Sequence, residues 1–180
     1  MNKRQKEILL NTARQAVAAA VRGQRPGKLV CEDTELNEHR GCFVTLKNRG
    51  SLRGCIGQFI ANKPLIETVS QMAVSAVTDD SRFFNDPITL DELEKLDIEI
   101  SVLSPLKKTD NPMSLRLGVD GIYIKKGFAS GCFLPQVATE TGWNKEEFLS
   151  YCCAHKAGLR PDAWKDDDTE VFLFTAEILE

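Results

Sequence analysis

The sequence predicts an α+β fold in which a mainly antiparallel β-sheet is flanked by helices. Residues 41–47 and 52–57 alternate between apolar and polar side chains, and the turn signal Asn48-Arg49-Gly50 joins them into a hairpin. Apolar residues at helical spacing predict one helix over residues 3–22 and another that begins at Pro64. Strands and helices that are interspersed in this way are typical of antiparallel pairing.

The remainder of the chain continues this pattern. Thr89 and Glu92 form a capping box for a short helix that ends near residue 96, and residues 97–103 alternate as a strand. Further strands are expected at residues 122–126, 132–134 and 169–179, and a helix at 145–157 that Gly158 ends. With 180 residues, 42% of them hydrophobic, the chain can bury a core. We therefore expect a single domain over residues 1–180, with two lobes.

Composition excludes several classes of protein. No apolar run reaches the roughly 18–20 residues of a membrane span, and a net charge of -3 argues against nucleic-acid binding. The six cysteines form no C-x-x-C pair, and there are only two histidines, so neither a metal nor a cofactor is expected in this chain. The sequence predicts a cytoplasmic protein with reduced thiols and no membrane association.

The segment Ser51–Gln58 carries the most distinctive motif, S-L-R-G-C-I-G-Q. Simple strand alternation puts Leu52 and Ile56 on one face and Arg53 and Cys55 on the other. A cation beside a thiol favours the thiolate, which predicts a reactive cysteine. The alternative is structural, because a glycine in a strand often marks a bulge and cysteine is often a small buried hydrophobe.

The motif L-R-G-C-I-G resembles the signature of the AMMECR-one domain family, called AmmeMemoRadiSam system protein A in prokaryotes. Further blocks are similar in the same order: G-C-F-V-T-L from Gly41, A-V-T-D-D-S-R-F from Ala76, E-I-S-V-L-S-P from Glu99, F-L-P-Q-V-A-T-E-T-G-W from Phe133 and K-A-G-L-R-P-D-A-W from Lys156. The resemblance implies a two-lobed α+β domain whose activity is poorly defined. It also implies two partners, a Memo-like protein and a radical S-adenosylmethionine protein.

Substrate-binding residues are expected around the thiol. Gly54 and Gly57 flank it and would let a ligand or another backbone approach closely. The family resemblance singles out Arg82, which either binds an anionic group or pairs with Asp79 or Asp80 at the end of the helix.

Three further groups complete the predicted site. Glu99 and Ser101 share one face of the strand 97–103 and join the thiol if that strand pairs beside the hairpin. Gln136 and Glu140 lie four residues apart on one helical face, and their place in the family blocks suggests a site rim.

Two functional hypotheses follow. In the first, the chain is a thiol-dependent enzyme or an accessory subunit, with Cys55 as nucleophile, Arg53 as its activator and Glu99 as base. In the second, it is a non-catalytic binding or scaffold module that presents the L-R-G-C-I-G strand to a protein or a small anionic ligand. Whether the chain is an enzyme is left open by the sequence.

Overall fold

Residues 1–180 are all described by a computed structural model, and they divide into two compact units. Unit one comprises Met1–Leu103 and Glu177–Glu180, and unit two comprises Ser104–Ala176. Each unit contains one four-stranded sheet, one hydrophobic core and its own helices. The predicted α+β class is therefore confirmed. None of the helices combines the length and the apolar character that crossing a bilayer requires.

Unit one is a sheet covered by two helices that pack against each other. Numbered along the chain, its main elements are α1 (Lys3–Val21), β1 (Cys42–Asn48), β2 (Ser51–Gln58), α2 (Leu65–Thr78), β3 (Leu96–Leu103) and β8 (Ala176–Leu179). The strand order in the sheet is β2-β1-β3-β8. Short 3₁₀ helices at Ser81–Phe83 and Leu90–Lys95 connect α2 to β3, the second with the predicted capping box.

The predicted hairpin is the centre of this unit. Strands β1 and β2 are antiparallel, and the two residues between them, Arg49 and Gly50, have φ angles of 50° and 79°. Two positive φ angles define a two-residue type I′ turn, which matches the right-handed twist of the flanking strands. The other edge of β1 pairs with β3, also antiparallel, so β1 lies between the motif strand and β3.

One face of this sheet forms the core of unit one. Leu9, Ala13 and Ala16 of α1 are buried, as their helical spacing predicts, and so are the inward-facing residues of β1 and β3. Gly54 of β2 is buried against α2, where a Cβ atom would overlap the carbonyl oxygen of Ala76. The missing side chain therefore allows the helix to pack directly on the strand.

Unit two contains a second antiparallel sheet, and its elements are β4 (Lys107–Thr109), β5 (Gly121–Lys126), β6 (Ala129–Phe133), α3 (Pro135–Thr141), α4 (Lys145–Cys152) and β7 (Glu170–Phe174). The strand order in this sheet is β4-β7-β5-β6. Helix α4 continues into a π-helical turn at Cys153–Ala157, which ends at Gly158 with a φ of 66°. Phe148 and Trp164 are buried in the core of unit two.

The expectation of one continuous strand over residues 169–179 is wrong. Strand β7 ends at Phe174, and β8 begins at Ala176 in the other sheet. Between them, the Thr175 N–H donates to Ser104 Oγ at 2.9 Å, and the Ser104 N–H donates to the Thr175 carbonyl at 2.9 Å. Apolar periodicity runs through both strands, and it does not reveal that the chain changes sheets.

Candidate functional site

The face of the first sheet opposite the helices carries four of the predicted site residues, Cys55, Gly57, Glu99 and Ser101. Strand register places Cys55 of β2 beside Thr45 of β1, and Thr45 beside Glu99 of β3. One step along, the same register aligns Gly57, Phe43 and Ser101. We call this surface, formed by Phe43, Thr45, Lys47, Cys55, Gly57, Glu99 and Ser101, the outer face. The Glu99 strand does pair beside the hairpin, so the condition under which Glu99 and Ser101 share the face of Cys55 is met.

The Cys55 thiol is half-buried and lies 3.3 Å from Thr45 Oγ1. The short distance follows from the ladder, because the backbone N–H and C=O of Cys55 point away from β1. Residues paired in this non-hydrogen-bonded way have closely spaced Cα atoms and side chains. The polar neighbour that the sheet brings to the thiol is a neutral hydroxyl.

Both outward backbone groups of Cys55 are bonded to the segment that follows α2. The Cys55 N–H donates to Asp80 Oδ2 at 2.9 Å, and the Cys55 carbonyl accepts from Arg82 Nη2 at 3.4 Å. Asp80 and Arg82 also pair with each other, with Nη2 to Oδ2 at 2.6 Å and Nε to Oδ1 at 2.9 Å. This Asp80–Arg82 pair takes the place of a neighbouring strand at the centre of the motif.

The charge state of this pair is fixed by its hydrogen bonds. Donation from Arg82, supported by the Cys55 N–H, lowers the pKa of Asp80 to about 2 although burial opposes the shift. The Asp80 side chain is 5% exposed, whereas that of Arg82 is 54% exposed. The carboxylate is therefore a fixed internal anion, and the guanidinium presents part of its surface to solvent. The sequence alternative in which Arg82 pairs with Asp80 is the one observed.

Arg53 does not lie where strand alternation predicted. The pairing of β1 with β2 shifts between Leu46, which faces Gly54, and Lys47, which faces Leu52, so Arg53 is the extra residue of a β-bulge. Leu52 consequently pairs with a residue of the outer face and does not share the core face of Ile56. The expected arrangement, with Arg53 beside the Cys55 thiol, is corrected by this bulge.

The Arg53 guanidinium is instead bound to two carboxylates. It donates from Nη1 to Asp86 Oδ2 at 2.6 Å and from Nε to Glu92 Oε1 at 3.0 Å, and its side chain is only 11% exposed. It also lies 5.8 Å from the centroid of the Phe83 ring, which the Arg82 guanidinium approaches to 5.6 Å. Arg53 therefore fixes the segment between α2 and β3 onto the motif strand.

Glu92 has a second role beyond its capping box. Burial raises its pKa, but hydrogen bonds from the Thr89 backbone, Asn48 and Arg53 outweigh that effect and bring the value to about 2. The carboxylate thus remains charged throughout the neutral range. It connects the hairpin turn, the bulge and the 3₁₀ helix at Leu90–Lys95.

Glu99 is also paired. Lys47 Nζ donates to Glu99 Oε2 at 3.1 Å, and the two side chains are 40% and 23% exposed. Since Thr45 lies between Glu99 and Cys55 in the sheet, strands β3 and β2 are separated by two interstrand spacings of about 4.8 Å each. The Glu99 carboxylate and the Cys55 thiol are therefore not positioned for direct proton transfer. Ser101 is buried on the same face.

The two glycines of the motif pack against different neighbours. Gly54 packs under α2, so it does not face the surface that carries the thiol. Gly57 does lie on the outer face, and the ring of Phe43 lies across it, where a Cβ atom would overlap the ring. Phe43 in turn contacts Phe59 edge to face, with centroids 5.1 Å apart.

The remaining predicted residues, Gln136 and Glu140, belong to unit two, where both lie on α3. Gln136 is half-buried and Glu140 is exposed. Their joining the Cys55 site stays a prediction. In the same unit, burial raises the pKa of the Cys132 thiol to about 11.

Sequence reasoning missed three residues of this site. The sequence indicates Asp80 only as a partner for Arg82 and Glu92 only as a helix cap, and it does not indicate Asp86. A signal for Asp80 was available, because an aspartate just before a turn often accepts a hydrogen bond from a backbone N–H two residues on. Its bond to Cys55 is long-range and has no local signal.

Comparison with known proteins identifies similar chains across nearly the whole length. A sequence profile of the AMMECR1 family matches residues 10–179. A protein from Methanothermobacter thermautotrophicus is 43% identical over 94% of this chain and 91% of its own, and Protein TK0174 from Thermococcus kodakarensis is 44% identical over 97% and 89%. The crystal structure of uncharacterized protein PH0010 from Pyrococcus horikoshii has a TM-score of 0.88 at 39% identity, covering 99% of this chain and 92% of that one.

Proposed function

The chain belongs to the AMMECR1 family, and we propose that it is a binding module of that family that presents the L-R-G-C-I-G strand and Arg82 to a partner. The proposed partners are the Memo-like protein and the radical S-adenosylmethionine protein that the family resemblance implies. A small anionic ligand held by Arg82 is compatible with the same surface. We place this activity in the cytoplasm, where free thiols remain reduced.

The Asp80–Arg82 pair is the observation that carries this proposal. It holds both backbone groups of Cys55 in a fixed position, and it still leaves more than half of the Arg82 side chain exposed. A fixed strand beside an accessible guanidinium suits recognition, because little conformational entropy is lost when a partner binds to preorganised groups. The bonds to Asp80 and Cys55 use Nε and Nη2 of Arg82, so its Nη1 group can still donate to a carboxylate or phosphate.

Thiol chemistry has weaker support around Cys55. A cysteine nucleophile is normally activated by an adjacent base or cation. Arg53 is bound to Asp86 and Glu92, Glu99 is bound to Lys47, and the hydrogen-bond partner of the thiol is a threonine. The thiol-dependent reaction stays a prediction, and it has one observation in its favour. The Cys55 thiol is only half-buried, whereas Cys42, Cys152 and Cys153 are buried.

Reconstitution of the three proteins separates the two hypotheses. We would measure binding of the full chain to the purified Memo-like and radical S-adenosylmethionine proteins by calorimetry, and profile metabolites in the same mixtures. For a binding module, Arg82→Gln should weaken association at least about tenfold, a loss of about 1.4 kcal/mol. Cys55→Ala should leave affinity and metabolite profile nearly unchanged.

Arg116→Gln is the matched control. Arg116 donates to buried Asp120 from Nε and Nη2 at 2.9 and 2.8 Å, and its side chain is 66% exposed. It therefore forms the same kind of pair as Asp80 and Arg82, a buried aspartate with an exposed arginine, at another position. This variant should bind like the wild type. If Cys55→Ala abolishes product formation while binding survives, the enzyme hypothesis replaces the binding module. If neither protein binds the wild-type chain, the proposed partners are wrong.

A further inference from the structure

Strand β2, which carries the motif, lies at the edge of its sheet. Its one neighbour in the sheet is β1, so the backbone groups that point the other way have no strand to pair with. Open edges of this kind are sites where another chain can add a strand, and proteins usually block them. The edge of β2 is blocked along only part of its length.

The direction of each backbone group follows from the ladder. The Leu103 N–H donates to the Gly41 carbonyl, so residues of β1 bond to β3 at every second position from Gly41, which includes Phe43 and Thr45. Their partners on β2, Gly57 and Cys55, must then point their N–H and C=O groups away from β1. The bonds of Cys55 to Asp80 and Arg82 agree with this assignment.

Each outward position of β2 therefore has a different state. At Arg53 the bulge disrupts the ladder, and bulges are a common way to protect an edge. At Cys55 the Asp80–Arg82 pair occupies both groups. At Gly57 the structure gives neither the N–H nor the C=O a hydrogen-bond partner, and the residue is half-exposed. The open part of the edge thus lies immediately beside Arg82.

We propose that this open edge binds an extended segment of a partner protein, which pairs its main chain with Gly57 and places an acidic side chain on Arg82. This inference rests on the proposed function, because it specifies how a partner engages the same motif. Recognition by strand addition takes its affinity from main-chain hydrogen bonds and its specificity from neighbouring side chains. One open residue supplies two such hydrogen bonds, and the ion pair with Arg82 supplies the specificity.

Charge and exposure argue for an acidic segment with apolar residues. Along an extended edge, the Cys55 carbonyl that accepts from Arg82 is next to the Gly57 N–H. A carboxylate on the pairing segment can therefore reach the exposed guanidinium. Two large apolar side chains are exposed near by in the sequence: Ile60 follows the end of β2 and is 74% exposed, and Phe84 follows Arg82 and is 62% exposed. In the proposed complex, apolar residues of the segment pack on these two side chains.

The test uses synthetic peptides and backbone amide NMR of the full chain. In the free protein the Gly57 amide should exchange quickly with solvent, whereas the flanking Ile56 and Gln58 amides, bonded to β1, should be protected. An acetylated and amidated peptide TVDVT should shift the Gly57 resonance and slow its exchange at least tenfold at saturation. We expect an affinity of about 1 mM, which suits a few hydrogen bonds and one ion pair.

Two control peptides separate the contributions. TVNVT lacks the carboxylate and should bind several-fold more weakly. TVDVT methylated on its three central nitrogens cannot donate from those nitrogens to the Gly57 carbonyl, and its methyl groups obstruct pairing along the edge, so it should bind several-fold more weakly than TVDVT. In the protein, Arg82→Gln should reduce the affinity for TVDVT to that for TVNVT, whereas Arg116→Gln should not change it.

Several results would overturn the inference. The inference is wrong if the Gly57 amide is protected in the free chain, if TVDVT leaves it unshifted up to about 10 mM, or if the methylated peptide binds as tightly as TVDVT. If one of these occurs while the protein complexes still depend on Arg82, the edge inference falls and the binding module stands. If TVDVT engages Gly57 but neither protein binds the chain, the edge stands and the proposed partners fall.

Discussion

Asp80→Asn should destabilise the protein by about 2 kcal/mol near neutral pH. The pKa of this buried carboxyl is about 2 against an ordinary 3.8, chiefly because Arg82 donates to it. A depression of nearly two units, at about 1.4 kcal/mol per unit, gives roughly that figure. Arg82 is half exposed, so solvent screening makes this an upper value. The substitution keeps the size of the side chain and removes its charge.

The pH dependence gives the sign of the effect. Because the folded pKa lies below the unfolded one, the stabilisation is fully present above about pH 4 and is lost as the pH falls from about 4 to about 2. Urea unfolding of wild type and Asp80→Asn at pH 7, 5, 4 and 3 measures it. The difference in unfolding free energy should be constant from pH 7 to 5 and fall to about half by pH 3.

Asp97→Asn is the control for this series. Asp97 is an exposed carboxylate on β3 of the same unit, so its replacement should change the unfolding free energy by less than about 0.5 kcal/mol at every pH. The reasoning is refuted if Asp80→Asn costs less than the control at pH 7. It is equally refuted if the Asp80→Asn difference does not shrink between pH 5 and pH 3.

Three further predictions concern the motif. Gly54→Ala should cost about 1–3 kcal/mol in urea unfolding, because its Cβ would overlap the α2 backbone, whereas Gly27→Ala, with open space around it, should be neutral; equal costs would contradict the packing role. Arg53→Ala should cost about 2–3 kcal/mol in the same assay because it leaves the Glu92 carboxylate without its cation, and an unchanged midpoint would contradict that. Four cysteines have raised pKa values: Cys42, Cys132, Cys152 and Cys153. In peptide-resolved alkylation near neutral pH, Cys55 should react before these four, and the reverse order would make Cys55 a structural thiol.

The sequence by itself determined the local elements around the motif. The turn at Arg49-Gly50, the helix that follows Pro64 and the capping box of Thr89 and Glu92 were all predictable, because each depends on residues within a few positions of one another. Alternation also placed Glu99 and Ser101 on one face of their strand, although only the pairing of β1 with β3 put that face beside Cys55. These features follow from periods of 2 and 3.6 residues, which a single sequence displays directly.

Only the tertiary structure decided the environment of Arg53 and Cys55. One extra residue in β2 redirects Arg53 from the thiol to Asp86 and Glu92, and alternation cannot register a bulge because it assumes that every residue is paired. Asp80 bonds to the Cys55 backbone across 25 positions of chain. Such contacts depend on how α2 returns the chain to the sheet edge, and that geometry is set by packing between elements that are distant in sequence.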